Sequence, residues 1–228
     1  MSKSIITSLD TFARVRLSKS FFMRDFLFSE TAAALGLSNL PKDKNLAVKA
    51  GKGLCENVLE PLQDAWGRIH IRSAYRSEEV NQAGNELGAN CATNEKNYAG
   101  HIWDVKNAEG NYGATACVVV PAYLDYYEST GDWTSLAWWI HHNIPAYSSM
   151  YFFPNLCAFN ISWNENPDKP KNIKSYIVDP NTGHKKAILS NGQKSEFYAA
   201  MTPGNRFVKC TEILKQQNEN KAVISDCL

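Results

Sequence analysis

The chain has 228 residues, 44% of them hydrophobic and 21% charged, with a formal net charge of +1. That size supports one domain with a sizeable core plus an extension. The near-neutral balance implies no overall attraction to nucleic acid or to a membrane surface, and no stretch approaches the roughly 20 apolar residues of a membrane span.

The opening residues, MSKSIITSLDTFARVRLSKSFF, hold no apolar signal core and no cleavage site, so the expected setting is cytoplasmic. Six cysteines (Cys55, Cys91, Cys117, Cys157, Cys210 and Cys227) are widely spaced with no CxxC, and are expected as free thiols. Those in ATACVVV and NLCAF read as small core residues.

In FMRDFLFSETAAALG, Ser29 caps a short helix and Gly36 ends it. Residues 43–66 place Leu46, Val48, Leu54, Val58, Leu59 and Leu62 at helical spacing, with Pro61 expected to kink or split the helix. RIHIRSAYRS alternates after Gly67 and reads as a strand ending near Ser73, followed by a helix capped by Ser77. Residues 84–99 are rich in Gly, Asn and Ala without a period, which predicts a long loop of the kind that carries function. ATACVVVP predicts a buried strand, Pro121 opens a helix, and Asp132 caps WTSLAWWIHHN. SSMYFFP and CAFNISW read as two further strands. The polar, proline-rich NENPDKPKN then marks a boundary. A hairpin around Asp179–Gly183 and a helix near TEILKQQ are expected beyond it. The class is α+β, a small antiparallel sheet packed with helices, with a domain over 20–165 and an extension over 166–228.

Four segments carry a resemblance. FLFSETAAALGLSNLP, VLEPLQDAWG with IHIRSAYRSEEVN, NYAGHIWDV and FNISW occur in the order of the zinc D-Ala-D-Ala carboxypeptidase and L-alanyl-D-glutamate endopeptidase family, whose fold is that of Hedgehog signalling domains. The resemblance spans roughly residues 20–165. It implies a zinc site of two histidines and an aspartate, a glutamate base and an arginine that steadies an oxyanion.

Position by position, the first histidine of that family falls on Asn97, the aspartate on Asp104 and the second histidine on Asn160. The arginine falls on Arg76. The base glutamate falls on Phe152 or Phe153, the motif serine on Glu95 and the motif alanine on Ile102. Amide oxygens replace imidazoles poorly on zinc, so the expectation is a degenerate metal site with no cofactor, zinc being the runner-up. The leading function is binding of a small polar or peptide-like ligand in a cleft lined by Tyr75, Arg76, Asn97, His101, Asp104 and Asn160. One alternative is a hydrolase of altered chemistry that uses His101 and Asp104 as an acid/base pair, with Arg76 assisting. A second is a zinc-dependent cell-wall amidase or peptidase, for example phage-encoded, whose ligands lie elsewhere. A third is a structural or assembly protein reusing the fold.

For Arg76 itself two readings stand side by side: a clamp for a carboxylate or phosphate, or an ion pair with Glu78, Glu79 or Asp104. His70 is expected in the core or on a sheet face. His141 and His142 are expected at a helix C-terminus, where positive charge suits the dipole.

Overall fold

The computed structural model describes residues 3–89, 91–178, 183 and 185–189. The helices are α1 (Lys3–Ala13), α2 (Glu30–Leu35), α3 (Lys44–Leu54), α4 (Glu60–Trp66), α5 (Glu78–Glu86), α6 (Asn94–Asn97), α7 (Pro121–Thr130) and α8 (Thr134–Asn143). The strands are β1 (His70–Ser73), β2 (Gly113–Val119), β3 (Tyr147–Phe152), β4 (Phe159–Asn164), β5 (Asn172–Val178) and β6 (Lys185–Leu189). They form a sheet of order β1-β2-β4-β3-β5-β6. The α+β class therefore holds. The sheet is antiparallel except between β3 and β5, which run parallel. It also continues past residue 165, because β5 and β6 add to the strands before them.

Local chemistry accounts for most element ends. Ser29 Oγ accepts from the Ala32 N–H, and Gly36 closes α2 in the left-handed region at φ 65°. Ser77 Oγ accepts from Val80 N–H to start α5. Asp132 Oδ1 accepts from the backbone N–H groups of Thr134 and Ser135, as a cap on α8 should. Pro61 sits in the first turn of α4, and a five-residue π-helical stretch, Cys55–Leu59, separates α3 from α4 just before it, so the helical run is divided there.

Strand alternation divides the sheet into two unlike faces. Ala114, Ala116, Val118, Met150, Phe152, Phe159, Ile161 and Ile173 face the helical layer and join its core. That core also takes in Phe12 and Leu17, from before residue 20. Contact with α3 is close: a Cβ on Gly53 would lie 2.3 Å from the Trp163 ring. The opposite face carries Thr115, Cys117, Asn160, Ser162, Tyr151 and Phe153, a mixed polar and aromatic set. His70 is exposed on the edge strand β1, in keeping with a sheet-face position, and His141 lies in the last turn of α8. The tip of the β5–β6 hairpin at 179–182, the helix expected near TEILKQQ, His184, Cys210 and Cys227 lie outside the described residues.

Candidate ligand-binding site

β1 ends at Ser73, and the chain turns through Ala74, Tyr75 and Arg76 into α5. Beside this turn runs the segment 98–104, which takes over the edge of β2 where β1 stops: the Thr115 N–H donates to Gly100 O at 2.9 Å. Two bonds tie turn and segment together. The Arg76 N–H donates to His101 O at 2.9 Å, and His101 Nδ1 lies 2.7 Å from Ala74 O. Trp103, fully buried, anchors the segment against Phe26 and Tyr75.

Between this turn, the start of α2 and the polar face of the sheet lies a cavity of about 260 Å³. Tyr75, Arg76, His101 and Asn160 line it, together with Phe28, Ser29, Glu30, Thr31, Arg72, Ser73, Ala89, Cys91, Cys117 and Phe153. Four of the six residues expected from sequence thus meet in one place. The other two do not line it. Asn97 is buried, and its Nδ2 donates to Asn81 Oδ1 and Ala92 O, both at 3.1 Å. Asp104 is buried too; its oxygens accept from Tyr75 Oη at 3.1 Å and from the Lys42 N–H at 2.8 Å. Both belong to the scaffold that holds the cavity wall.

Zinc, which the resemblance implies for the family, would need positions 97, 104 and 160 to converge with their lone pairs free. The residues present do not fit it. The Asn97 amide is committed to α5 and its loop, Asp104 is committed to Tyr75 and Lys42, and Asn160 sits beside His101 instead. Among the described residues no group of three or more His, Cys, Asp or Glu is placed to hold a metal. The His101–Asp104 acid/base pair is not formed either, because His101 Nδ1 goes to a carbonyl and Asp104 to a phenol and an amide.

The chemistry of the cavity is set by two buried groups. A carbonyl oxygen only accepts, so His101 Nδ1 carries the hydrogen and Nε2 is left as the acceptor. Burial first, then the neighbouring Arg76 charge, lower its pKa to about 3, against weaker opposing help from Ala74 and Asn160. His101 is therefore a neutral imidazole at ordinary pH.

Arg76 is the complementary case. Burial lowers its pKa from the usual arginine value, yet it remains the cation of the site. Its Nη1 donates to Cys91 Sγ, and its buried Nε has no partner. The ion pairs open to it from sequence are not made. Glu78 goes to Lys42 at 2.8 Å and to Tyr98 Oη at 3.0 Å, and among the described residues no carboxylate pairs with Arg76. A half-buried guanidinium with an idle N–H beside a cavity is equipped to take an anion.

Sequence reasoning missed the rest of the lining. Strand parity held a signal for Cys117, since it lies two residues from Thr115 and opposite Asn160 in the register. The sequence marks residues 84–99, which contain Cys91, as a loop that carries function, but singles out neither that thiol nor the first turn of α2. Comparisons with family models, with curated proteins and with solved structures return no match for this chain.

Proposed function

We propose that this is a protein like the D,D-peptidases in layout, whose cleft binds a small polar or peptide-like ligand through a carboxylate and does not carry out the usual zinc hydrolysis. One observation carries the reading: Arg76 faces the cavity without a carboxylate partner and with its buried Nε idle. A guanidinium that lines a cavity and has no carboxylate partner suits a ligand carboxylate. Neutral His101 and the Asn160 amide lie on the same wall and suit the uncharged polar part of a peptide-like ligand. The acid/base alternative has no bond between His101 and Asp104 to support it, and among the described residues the zinc alternative has no converging donor set. Among the described residues no helix is long and apolar enough to cross a membrane. The four cysteines described are free, which suits the reducing cytoplasm.

The test is calorimetric titration of the full chain with short peptides bearing a free C-terminal carboxylate and with the same peptides amidated. Free acids should bind at least about tenfold more tightly, the worth of one charge-assisted bond of ~1.4 kcal/mol. Arg76→Met should abolish the difference. Equal affinity for acids and amides would sink the reading. Stoichiometric zinc in protein purified without chelator would restore the metalloenzyme alternative. No binding by either series would favour a structural role.

A further inference from the structure

Two thiols, Cys91 and Cys117, share the cavity with Arg76, and ligand binding as argued above uses neither. They are not equivalent. Cys117 is buried on β2, and burial pushes its thiol up to about 11 in spite of the pull of Arg72 and Arg76. Cys55 and Cys157 are buried away from the cavity, and burial pushes their thiols up as well. Cys91 is only half-buried, on the segment after α5, and its Sγ lies against Arg76 Nη1. Asn85 Nδ2 donates to Cys91 O and holds that segment against α5. A guanidinium has five N–H groups in a fixed plane. Arg76 spends one on Cys91 and keeps a buried Nε without a partner. A carboxylate taken up by Arg76 is thereby brought beside Cys91 Sγ.

We propose that Cys91 is a covalent modification site whose reagent is selected by Arg76: a small molecule with a carboxylate one or two bonds from a soft electrophilic carbon or sulfur. This rests on the reading of the cavity as a carboxylate site. Arg76 holds the anion, and the electrophilic atom comes within reach of the thiol, so that orientation supplies the selectivity. With a haloacetate the Sγ–C bond forms, the carbon–halogen bond breaks with its electron pair leaving on the halide, and the thiol proton passes to solvent. The adduct keeps its carboxylate in the cavity, so modification and ligand binding exclude each other.

Iodoacetate and iodoacetamide test this directly, because they alkylate by the same route and differ in charge. Their rate ratio at one thiol cancels that thiol's own reactivity and reports the charge around it. The full chain is alkylated folded and, as reference, unfolded in urea, and each cysteine is followed by peptide mass mapping. At Cys91 the iodoacetate to iodoacetamide ratio should be about tenfold higher folded than unfolded. It should fall back in Arg76→Met, persist in part in Arg76→Lys, and shrink in wild type at about 0.5 M NaCl. The salt arm needs no variant to fold. A folded ratio equal to the unfolded one overturns the proposal, as does a ratio unchanged in Arg76→Met with its melting transition intact, or labelling of Cys117 ahead of Cys91. If carboxylate peptides bind while the ratio stays flat, only the role of Cys91 fails. If the ratio is raised while no peptide binds, the Arg76–Cys91 pairing is supported and the cavity is limited to smaller anions.

Discussion

His101 Nδ1 sits 2.7 Å from the carbonyl oxygen of Ala74, a bond between the 98–104 segment and the turn that carries Arg76. It fixes the tautomer of a buried imidazole and turns the other ring nitrogen away from that carbonyl. Burial first, and then the charge of Arg76, strongly disfavour a positive charge on the ring.

Burial gives this imidazole a pH signature, which the bond to Ala74 opposes. The folded pKa of about 3 is below the ordinary value of 6.5, so the unfolded chain binds this proton first. Stability contributed by neutral His101 is fully present above pH 6.5 and is lost as pH falls from there toward about 3. At pH 5 the loss should be roughly 2 kcal/mol, from 1.36 kcal/mol per unit. Urea unfolding at pH 7 and pH 5 measures it. His101→Gln should flatten the slope between those two values, and an unchanged slope would assign the titration elsewhere.

Tyr75 and Asp104 are a scaffold pair. Tyr75→Phe removes one of the two donors to a buried carboxylate and should cost about 1–3 kcal/mol in denaturant unfolding. Asp104→Asn should also destabilise, yet leave the affinity of carboxylate peptides within about twofold, because the residue does not line the cavity. A larger loss of affinity with stability retained would place Asp104 in the binding site.

Asn97 ties α6 to α5 through Asn81, whose own Nδ2 donates to Ala92 O and Asn94 Oδ1. Asn97→Ala should cost about 1–3 kcal/mol and loosen the segment that carries Cys91. Amide exchange at 91–94 should quicken. For the same reason Asn97→His combined with Asn160→His should bind no zinc tightly; a tight site would show that these two side chains do converge.

Gly53 faces Trp163 with no space for a methyl group: a Cβ would come within 2.3–2.6 Å of three ring atoms. In an open helix Gly→Ala gains up to about 1 kcal/mol. Here overpacking between α3 and β4 costs about 1–3 kcal/mol or more, so Gly53→Ala should lower the melting temperature. A rise would mean that α3 can move off the sheet.

Elements were legible wherever the signal was local. Ser29, Gly36, Ser77, Pro121 and Asp132 mark their helix ends by chemistry acting within four residues, and the run at 113–119 reads as a buried strand from its small and apolar residues, with 147–152 and 159–164 as two further strands. The turn at Tyr75 and Arg76 and the loop after α5 were visible as places where function collects. Which groups face one another was not, since that depends on contacts between residues far apart in the chain. Arg76 had carboxylates two and three positions away in sequence, at Glu78 and Glu79, yet its side-chain partner is Cys91. Asn97 and Asp104 kept the spacing of a metal motif, while the fold spent both on its own hydrogen bonds. Spacing along a chain fixes which residue types are close in number. Only packing decides which lone pairs and protons are still free once the core has taken its share.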